Sequence, residues 1–292
     1  MKIEDILNQE KNQVNWDASQ LLHGDARKVV DLLPDDFYAC CVTSPPYWGL
    51  RDYGYEGQIG AESSVDCFID ELVKLFAAIR PKLRDNGTLW VNIGDSYTSG
   101  NRTWRAPDKK NPARTMSYRP PTPEGLKPKD LIGVPWRLAF AMQQDGWYLR
   151  SDIIWYKPNC QPESVKDRPT QSHEYIFLFS KSEKYLYNHE DIKERASELG
   201  ARRNKRSVWM VNTEPLTEAH FATFPEELIK PIVKAGSNQG DTILDPFLGS
   251  GTVGVVATKL DRNFHGIELK PEFLEIAQKR VSKCKTLQPT LF

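Results

Sequence analysis

Short apolar runs alternate along this chain with longer stretches in which apolar residues recur every three or four positions. The short runs end in polar or turn residues and read SQLLHGD, YACCVTS, TLWVNIGDS, YLRSDIIWYK, TILDPF and FHGIEL. The longer stretches occupy residues 65–83, 130–146, 224–236, 251–260 and 270–284. Short continuous apolar runs are typical of strands buried on both faces, and the periodic stretches are typical of helices that cover a sheet. The alternation predicts an α/β fold with a doubly wound, mainly parallel sheet.

One segment departs from this alternation. Residues 173–188, HEYIFLFSKSEKYLYN, contain two apolar runs joined by a short polar turn. Two such runs with a turn between them predict an antiparallel hairpin. We therefore expect a hairpin in the otherwise parallel sheet.

The composition narrows the class of protein. With 292 residues, 39% of them hydrophobic and 27% charged, the chain can form one α/β domain over residues 1–292. No run approaches the roughly 18 apolar residues of a membrane span, and residues 1–13 lack the apolar core of a signal peptide. The five cysteines show neither CxxC nor Cys/His spacing, which argues against a structural zinc site and a disulfide framework. We expect a cytoplasmic protein with no membrane segment and no metal.

Charge is balanced overall but unevenly distributed. The 39 basic residues equal the 39 acidic ones, yet residues 101–129 carry eight Lys or Arg against two acids, about +6, and residues 193–206 carry six against two, about +4. The first basic segment lies in a proline-rich stretch, 97–129, that is long for a loop within a compact domain. Two basic segments on an otherwise acidic body are typical of an electrostatic footprint on one face, although two solvated loops would have the same composition.

The first motif with chemical meaning is TSPPYW, at the end of the apolar run FYACCV. Prolines lack the N–H that a sheet ladder requires, so the strand must end at Thr43 or Ser44. Open α/β sheets bind ligands at the carboxyl ends of their strands. A hydroxyl, a rigid proline pair and two aromatic side chains are therefore predicted at a ligand-binding edge.

The second motif is TILDPFLGSGTVGVVATKLDRNFHGIEL, residues 242–269. A strand ends at Asp245, a glycine-rich turn opens a helix, and the next strand ends at Glu268, which is the pattern of a nucleoside-binding βαβ unit. Gly249 and Gly251 would let the backbone approach a ligand, and Glu268 could accept hydrogen bonds from ribose hydroxyls. Gly249, Gly251 and Gly254 also match G-x-G-x-x-G, so a nicotinamide-dependent oxidoreductase is an alternative, but too little chain follows for the rest of a dinucleotide domain.

Together the two motifs resemble those of the amino-group DNA methyltransferases, which methylate cytosine N4 or adenine N6 with S-adenosyl-L-methionine. The catalytic motif of that family, [DNS]-P-P-[YFW], is matched by Ser44, Pro45, Pro46 and Tyr47. Its cofactor motif, D-P-F-x-G-[ST]-G-T, is matched by residues 245–252. The catalytic motif comes first in the chain, as in the permuted β class that serves restriction-modification systems.

The resemblance extends over most of the chain, from about residue 18 to residue 284. It includes the stretches 149–159, 173–182 and 221–236. It implies a circularly permuted, Rossmann-like methyltransferase fold, with a catalytic half at about 18–190 and a cofactor half at about 221–284. It also implies that the cofactor contacts Asp25, Asp245, Phe247, Gly249, Ser250, Gly251, Thr252 and Glu268.

Some of these residues have a simpler alternative role. Asp25 is expected at the adenine amino group, but it could instead cap the helix that begins ARKVV. Ser250 and Thr252 are expected at the methionine end of the cofactor, or as caps of the helix that follows the glycine-rich turn.

The proline elbow suits the reaction that the resemblance implies. An exocyclic amino group is a poor nucleophile because its lone pair is delocalised into the ring, and two acceptors aimed at its N–H bonds favour the pyramidal, reactive geometry. Ser44 Oγ and the Pro45 carbonyl oxygen are the expected acceptors, with the carbonyl fixed by the locked backbone of the two prolines. Tyr47 is expected to support the base, which must leave the DNA stack to be reached.

The base is predicted from the first motif position. Within the family, Ser at this position accompanies mostly cytosine N4 and Asp mostly adenine N6. Ser44 therefore favours N4-methylcytosine as the product, with adenine N6 as the alternative. Cytosine C5 methylation is disfavoured because it requires a cysteine nucleophile, presented after a proline in that family, and no cysteine here follows a proline.

The basic segments are the expected DNA-recognition regions, at residues 97–129 and 190–212. Within them we expect arginines to bind phosphates or guanines of double-stranded DNA, namely Arg102, Arg105, Arg114, Arg202, Arg203 and Arg206. The resemblance is also compatible with a homodimer and a cognate restriction endonuclease. The remaining alternatives are methylation of RNA or of a protein side-chain amide, and a DNA-binding module that has lost catalysis.

Overall fold

The computed structural model describes residues 15–50, 54–55, 57–98, 120–196, 200–214 and 224–287. The described strands are β1 (Gln20–His23), β2 (Tyr38–Thr43), β3 (Leu83–Ile93), β4 (Tyr148–Tyr156), β5 (His173–Ser180), β6 (Glu194–Arg195), β7 (Arg202–Arg203), β8 (Val208–Met210), β9 (Thr242–Asp245) and β10 (Asn263–Glu268). The described α-helices are α1 (Ala26–Val29), α2 (Val65–Ile79), α3 (Val134–Gln144), α4 (Glu226–Gly236), α5 (Thr252–Lys259) and α6 (Pro271–Leu287).

Eight of these strands form one sheet in the order β1-β10-β9-β2-β3-β5-β4-β8, and β6 pairs with β7 separately. Every neighbouring pair in the large sheet is parallel except the two pairs that include β5. All six residues of β2 are buried, because helices cover both faces at the centre of the sheet. The predicted doubly wound, mainly parallel α/β sheet is confirmed.

The predicted antiparallel pairing is present, but its partner lies upstream. β5 pairs with β4 on one side and with β3 on the other, so both of its edges are occupied. Residues 181–188, all of them described, therefore form no strand against β5. Instead, the Leu186 N–H donates to the Asn86 carbonyl at 2.8 Å, and the Tyr187 ring stacks on Trp90 at 6.4 Å. The hairpin consists of β4 and β5, joined by residues 157–172.

Helices pack on both faces of the sheet. One hydrophobic cluster contains buried residues of α1, α2 and α3, among them Phe76 and Leu138. A second cluster contains buried residues of α4, α5 and α6, among them Val256 and Ala277. Of the helices in the described ranges, none is long and apolar enough to cross a membrane.

Helix α2 illustrates how local sequence sets these elements. Ser64 precedes the helix in an extended conformation, and its hydroxyl accepts a hydrogen bond from the Cys67 N–H at 3.1 Å, which caps the first turn. Apolar residues spaced four apart, Phe68, Leu72 and Phe76, are 0% exposed. Burying a side chain of this kind contributes roughly 1.5–3 kcal/mol each. The apolar stripe that was visible in the sequence is thus the face that covers the sheet.

A topological switch point lies between β2 and β9 at the centre of the sheet. The chain leaves β2 for β3 through α2 on one face, and it leaves β9 for β10 through α5 on the other face. The two crossovers diverge, which opens a crevice at the carboxyl ends of these two strands. Ligands of open α/β sheets bind in such a crevice.

Candidate active site

The SPPY segment, residues 44–47, lies at the carboxyl end of β2, as the sequence predicts. β2 ends at Thr43, and the two prolines supply no N–H group that could extend its ladder. Pro45 is buried, whereas Ser44 and Tyr47 are partly exposed. The elbow therefore has a fixed backbone and a polar side chain at its surface.

A loop over residues 57–62 closes on this elbow. Gly60 has φ +98°, and a Cβ there would lie 3.2 Å from the Tyr47 carbonyl oxygen and 3.3 Å from Pro46 Cβ. Trp48 is buried and donates its indole N–H to the Glu62 carbonyl at 3.0 Å. Glycine is required for this close approach, and the contact joins the loop to the elbow.

Tyr47 is held by its hydroxyl group. Tyr47 Oη donates to Glu174 Oε2 at 2.7 Å. A Cβ at Gly94 would lie 2.8 Å from Tyr47 Cε2, so the ring depends on glycine at the end of β3. Burial, followed by the negative charge of Glu174, raises the pKa of the Tyr47 phenol well above its usual value. The phenol therefore remains protonated.

Glu174 is the centre of a partly buried polar cluster, which we call the Glu174 network and define as Tyr47, Asn92, Lys157 and Glu174. The Lys157 ammonium contacts Glu174 Oε1, and Asn92 Nδ2 donates to Oε2 at 3.2 Å. The side chains of Lys157 and Glu174 are only 16% and 17% exposed. Lys157 also lies 4.1 Å from the centre of the Trp155 ring. The network joins the ends of β3 and β4 and the start of β5 to the elbow after β2.

Asp245, at the end of β9, is joined to β2 across the switch point. Thr43 Oγ1 donates to Asp245 Oδ1 at 2.7 Å, and the Phe247 N–H donates to the same oxygen at 3.1 Å. Burial raises the pKa of Asp245 to about 7, despite these two hydrogen bonds. Asp245 Oδ2 is buried and has no hydrogen-bond partner among the described residues. A buried carboxyl oxygen with an unused acceptor site fits a ligand that carries N–H groups or positive charge.

The glycine-rich turn after β9 is held by Glu268. Gly249 N–H donates to Glu268 Oε2 and Lys270 N–H to Oε1, each at 2.8 Å. Burial raises the pKa of Glu268 above its usual value. Gly249 has φ +53°, and a Cβ there would meet only the Phe247 carbonyl oxygen at 3.9 Å, so this side of the turn is open. The backbone at Gly249 has space for a close approach on this side.

The other two glycines of the motif serve packing. A Cβ at Gly251 would lie 2.7 Å from Ala277 Cβ on α6, and a Cβ at Gly254 would lie 2.6 Å from the Phe264 ring on β10. Gly251, with φ +82°, also forms the N-cap of α5. These glycines allow α5 to lie close to its neighbours, and the G-x-G-x-x-G spacing reflects that packing.

Ser250 and Thr252 are buried and face α6. Arg280 Nη1 donates to Ser250 Oγ at 2.9 Å, to the Ser250 carbonyl at 2.8 Å and to Thr252 Oγ1 at 3.1 Å. In the described structure α5 has no side-chain cap at its N-cap residue, so the capping role considered for these hydroxyls is not found. Arg280 on α6 instead holds the glycine-rich turn through these three hydrogen bonds.

Asp25 follows β1, the strand next to β10. Asp25 caps α1 by accepting from the Arg27 N–H at 3.0 Å, and it forms an ion pair with Arg27 Nη2 at 2.6 Å. Burial alone would raise the pKa of Asp25, but the hydrogen bonds and charge of Arg27 lower it below its usual value. The Gly24 N–H donates to the Glu268 carbonyl at 2.9 Å. The capping alternative is therefore present, and it leaves Asp25 ionised near Glu268.

The arginines expected to bind DNA fall into two groups. Three of them, Arg102, Arg105 and Arg114, lie outside the described residues. Arg203 and Arg206 both donate to Glu194 Oε1 at 2.9 Å, and Arg202 donates to the Lys193 carbonyl at 2.9 Å. These three arginines belong to the small β6–β7 sheet and the turn before β8, which pairs with β4 beside the Glu174 network.

Sequence reasoning missed the Glu174 network. The stretches around Lys157 and Glu174 resembled the family, but no role followed for either side chain. One signal was available: Glu174 is a lone acid at the start of the apolar run YIFLFS, where a buried carboxylate needs a partner.

Comparisons with known proteins identify the family of the chain. The model of the N6/N4 methyltransferase family, described as DNA methylase, matches residues 38–279. Type II methyltransferase M.Cfr9I of Citrobacter freundii is 59% identical over 96% of this chain and 93% of its own length. Type II methyltransferase M.SmaI of Serratia marcescens is 61% identical over 91% of this chain and 92% of its own length.

Solved structures share the fold at low sequence identity. PvuII DNA methyltransferase (cytosine-N4-specific) has a TM-score of 0.67 at 18% identity, over 92% of this chain and 90% of that one. M1.HpyAVI, solved as a complex with SAM, has a TM-score of 0.58 at 20% identity, over 90% of this chain and 98% of that one. On the family match and the two close relatives, the chain belongs to the N4/N6 amino-methyltransferases, the S-adenosylmethionine-dependent DNA methylases of restriction-modification systems.

Proposed function

We propose that this protein transfers a methyl group to N4 of a cytosine in a specific sequence of double-stranded DNA. One observation carries the proposal: the SPPY elbow after β2 and the glycine-rich turn after β9 meet at the switch point, where Thr43 Oγ1 and Asp245 Oδ1 are 2.7 Å apart. An amino-group clamp and a cofactor turn therefore share one crevice.

The cofactor half supplies the residues that fit S-adenosylmethionine. Glu268, with one N–H bond to each oxygen, retains acceptor sites for ribose hydroxyls. Gly249 leaves space for close approach, Phe247 is half-buried beside it, and Asp245 Oδ2 is an unused buried acceptor. Asp25 is an ionised acceptor for the adenine amino group. When bound, the cofactor supplies the electrophilic methyl group.

The catalytic half prepares the nucleophile. Ser44 Oγ and the Pro45 carbonyl oxygen accept the two N–H bonds of the target amino group, which favours pyramidal nitrogen as its lone pair leaves conjugation. Because Pro45 and Pro46 have fixed φ angles, the carbonyl does not have to be ordered when the base arrives. Tyr47, clamped through its hydroxyl, offers a ring face to a base that has left the duplex.

The choice of cytosine rests on Ser44. The family resemblance associates Ser at this position mainly with cytosine N4 and Asp mainly with adenine N6. PvuII DNA methyltransferase, whose name states cytosine-N4 specificity, has the same fold. At 18% identity this similarity supports the fold and not the choice of base. Adenine N6 is the alternative within the same chemistry.

The proposal extends to partners. The basic segments 97–129 and 190–212 bind the DNA, with Arg202, Arg203 and Arg206 at the end of the sheet that carries Lys157. The enzyme acts in the cytoplasm of a prokaryotic or phage-infected cell and protects sites from a cognate restriction endonuclease. A homodimer of this protein would have two of these DNA-binding surfaces.

Incubation with methyl-labelled S-adenosylmethionine and unmethylated genomic DNA tests the proposal, followed by digestion to nucleosides and mass identification of the labelled one. We expect N4-methylcytosine from the wild-type protein and no label from Ser44→Ala, whose affinity for S-adenosylmethionine should be nearly unchanged. Ser63→Ala, at an exposed position, is the matched control and should retain full activity. N6-methyladenine would retain the clamp and refute the choice of base, and survival of Ser44→Ala activity within about tenfold would refute the clamp itself.

A further inference from the structure

The loop over residues 57–62 is attached to the elbow by hydrogen bonds as well as by close packing. The Gly49 N–H donates to the Gly60 carbonyl at 2.9 Å, and the Trp48 indole donates to the Glu62 carbonyl at 3.0 Å. Both donors follow directly after the SPPY segment. A displacement of the loop would therefore displace the end of the elbow with it.

The same loop is held from another side by Arg27, which follows Asp25 in helix α1. Arg27 Nη2 donates to the Gly57 carbonyl at 2.7 Å and to Asp25 Oδ2 at 2.6 Å. Arg27 Nη1 donates to Glu71 Oε2 on α2 at 3.2 Å. A guanidinium group is planar and presents its donors in a fixed fork, so these bonds set its orientation. One nitrogen atom thus joins the Asp25 carboxylate to the backbone of the loop.

A second contact on this side involves Tyr55, just before the loop. The Tyr55 N–H donates to Gln58 Oε1 at 3.4 Å, and the Lys270 ammonium lies 5.6 Å from the centre of the Tyr55 ring. The Lys270 N–H in turn donates to Glu268 Oε1 at 2.8 Å. The segment that reaches the elbow therefore also contacts the neighbours of both carboxylates expected at the cofactor.

Stability alone is a weak explanation for the Arg27 bridge. The side chains of Arg27, Asp25 and Glu71 are 34%, 25% and 28% exposed. Ion pairs that are this accessible to water contribute little to folding stability. The position of Arg27, between a carboxylate of the cofactor half and the loop on the elbow, is instead suited to linking the two parts of the site.

We propose that Arg27 is a positioning residue that couples the binding of S-adenosylmethionine to the binding of target DNA, through Asp25 on one side and the loop over residues 57–62 on the other. This role deepens the proposed methyl transfer and rests on it. A cofactor that orders Asp25 also orders Arg27 and the loop, so less ordering remains when the base reaches the elbow. Because coupling is reciprocal, DNA must tighten the binding of the cofactor by the same factor.

Arg27→Met tests this role because the variant keeps an unbranched side chain and removes every donor of the bridge. The measurement is the Kd of S-adenosylhomocysteine, which has no methyl group to transfer, with and without a DNA duplex that carries the sequence methylated in genomic DNA. We expect the duplex to lower this Kd about tenfold in the wild-type protein and less than about threefold in Arg27→Met. Damage confined to the cofactor site would change both Kd values equally and leave their ratio as it is.

Arg84→Met is the matched control. Arg84 also joins a carboxylate to a backbone carbonyl, with Asp241 Oδ1 at 2.6 Å and the Phe37 carbonyl at 3.0 Å, and its side chain is 40% exposed. Its contacts lie at the amino ends of β3 and β9, the edge of the sheet opposite to the elbow. We expect Arg84→Met to retain the tenfold effect of the duplex, to within about twofold.

Thermal unfolding of both variants accompanies the titrations. Loss of the effect of the duplex in Arg27→Met, with its retention in Arg84→Met and similar unfolding temperatures, supports the role of Arg27. A wild-type protein without the effect, an undiminished effect in Arg27→Met, or an equal loss in Arg84→Met overturns the role while the methyltransferase function stands. Failure of the wild-type protein to methylate DNA would overturn the proposed function and this role with it.

Discussion

The buried carboxyl group of Asp245 predicts a specific dependence of stability on pH. Burial raises the pKa of this group to about 7, from an ordinary value of 3.8. The folded state therefore holds the proton more tightly than the unfolded chain. Between about pH 4 and pH 7 the unfolded state has lost this proton and the folded state retains it, so stability falls as the pH rises through this window. A difference of about 3 pKa units, at about 1.36 kcal/mol each, amounts to about 4 kcal/mol.

Asp245→Asn isolates this effect because it retains the shape of the side chain and removes the titration. From pH 5 to pH 7 about two pKa units of the window remain, so the stability of the variant relative to wild type should rise by roughly 2–3 kcal/mol, with no further gain at pH 8. Urea unfolding at pH 5, 6, 7 and 8 measures the difference. The exposed Asp31→Asn is the control for the substitution itself.

A difference that stays constant within about 1 kcal/mol from pH 5 to pH 8 would show that Asp245 is ionised throughout. The hydrogen bonds from Thr43 and Phe247 would then outweigh burial, and the electrostatic description of the switch point would be wrong.

Three further predictions test other parts of the site. Gly254→Ala should lower the free energy of unfolding by about 1–3 kcal/mol, because its Cβ would lie 2.6 Å from the Phe264 ring; unchanged urea unfolding would contradict the packing role. Gly94→Ala should lower kcat about tenfold or more by displacing the Tyr47 ring, whose Cε2 lies 2.8 Å from the new Cβ, and wild-type turnover would show that the ring position is unimportant. Neutralising Arg202, Arg203 and Arg206 together should reduce the slope of log affinity for DNA against log salt concentration by about 2–3, as measured by DNA titration. An unchanged slope would show that this segment does not contact the DNA.

The fold and both motifs could be predicted because their signals are local. The apolar runs that became β2 and β9 are continuous in sequence, and the stripe of α2 repeats within a single helix. Pro45 ends a strand for reasons that involve only its own ring. These features do not depend on how the rest of the chain folds. They were therefore sufficient to place residues 44–47 at the carboxyl end of a strand.

The Glu174 network could not be predicted in this way because three different strands assemble it. Asn92 ends β3, Lys157 follows β4 and Glu174 opens β5, and they meet only because β5 inserts antiparallel between the other two. The sequence instead predicted a hairpin within residues 173–188. With that pairing, nothing in the sequence would have brought Lys157 to Glu174.

The glycine-rich turn shows a different limit of sequence reasoning. Gly249, Gly251 and Gly254 have equal weight in the motif, but only Gly249 faces open space. The other two are needed because of Ala277 and Phe264, which approach from elements that are distant in sequence. The spacing of a motif indicates where glycine is required. Only the three-dimensional structure shows which neighbouring residue leaves no space for a side chain there.

The position of the site also explains why the catalytic motif can precede the cofactor motif in this chain. The two halves contribute parallel strands that meet at β2 and β9, and the contact between Thr43 and Asp245 joins their carboxyl ends at 2.7 Å. In the proposed function the chemistry depends on this adjacency, and either half could come first in the chain without changing it. The same contact places a group with a pKa of about 7 between the SPPY elbow and the glycine-rich turn, so the pH dependence of Asp245 reports directly on the junction of these two segments.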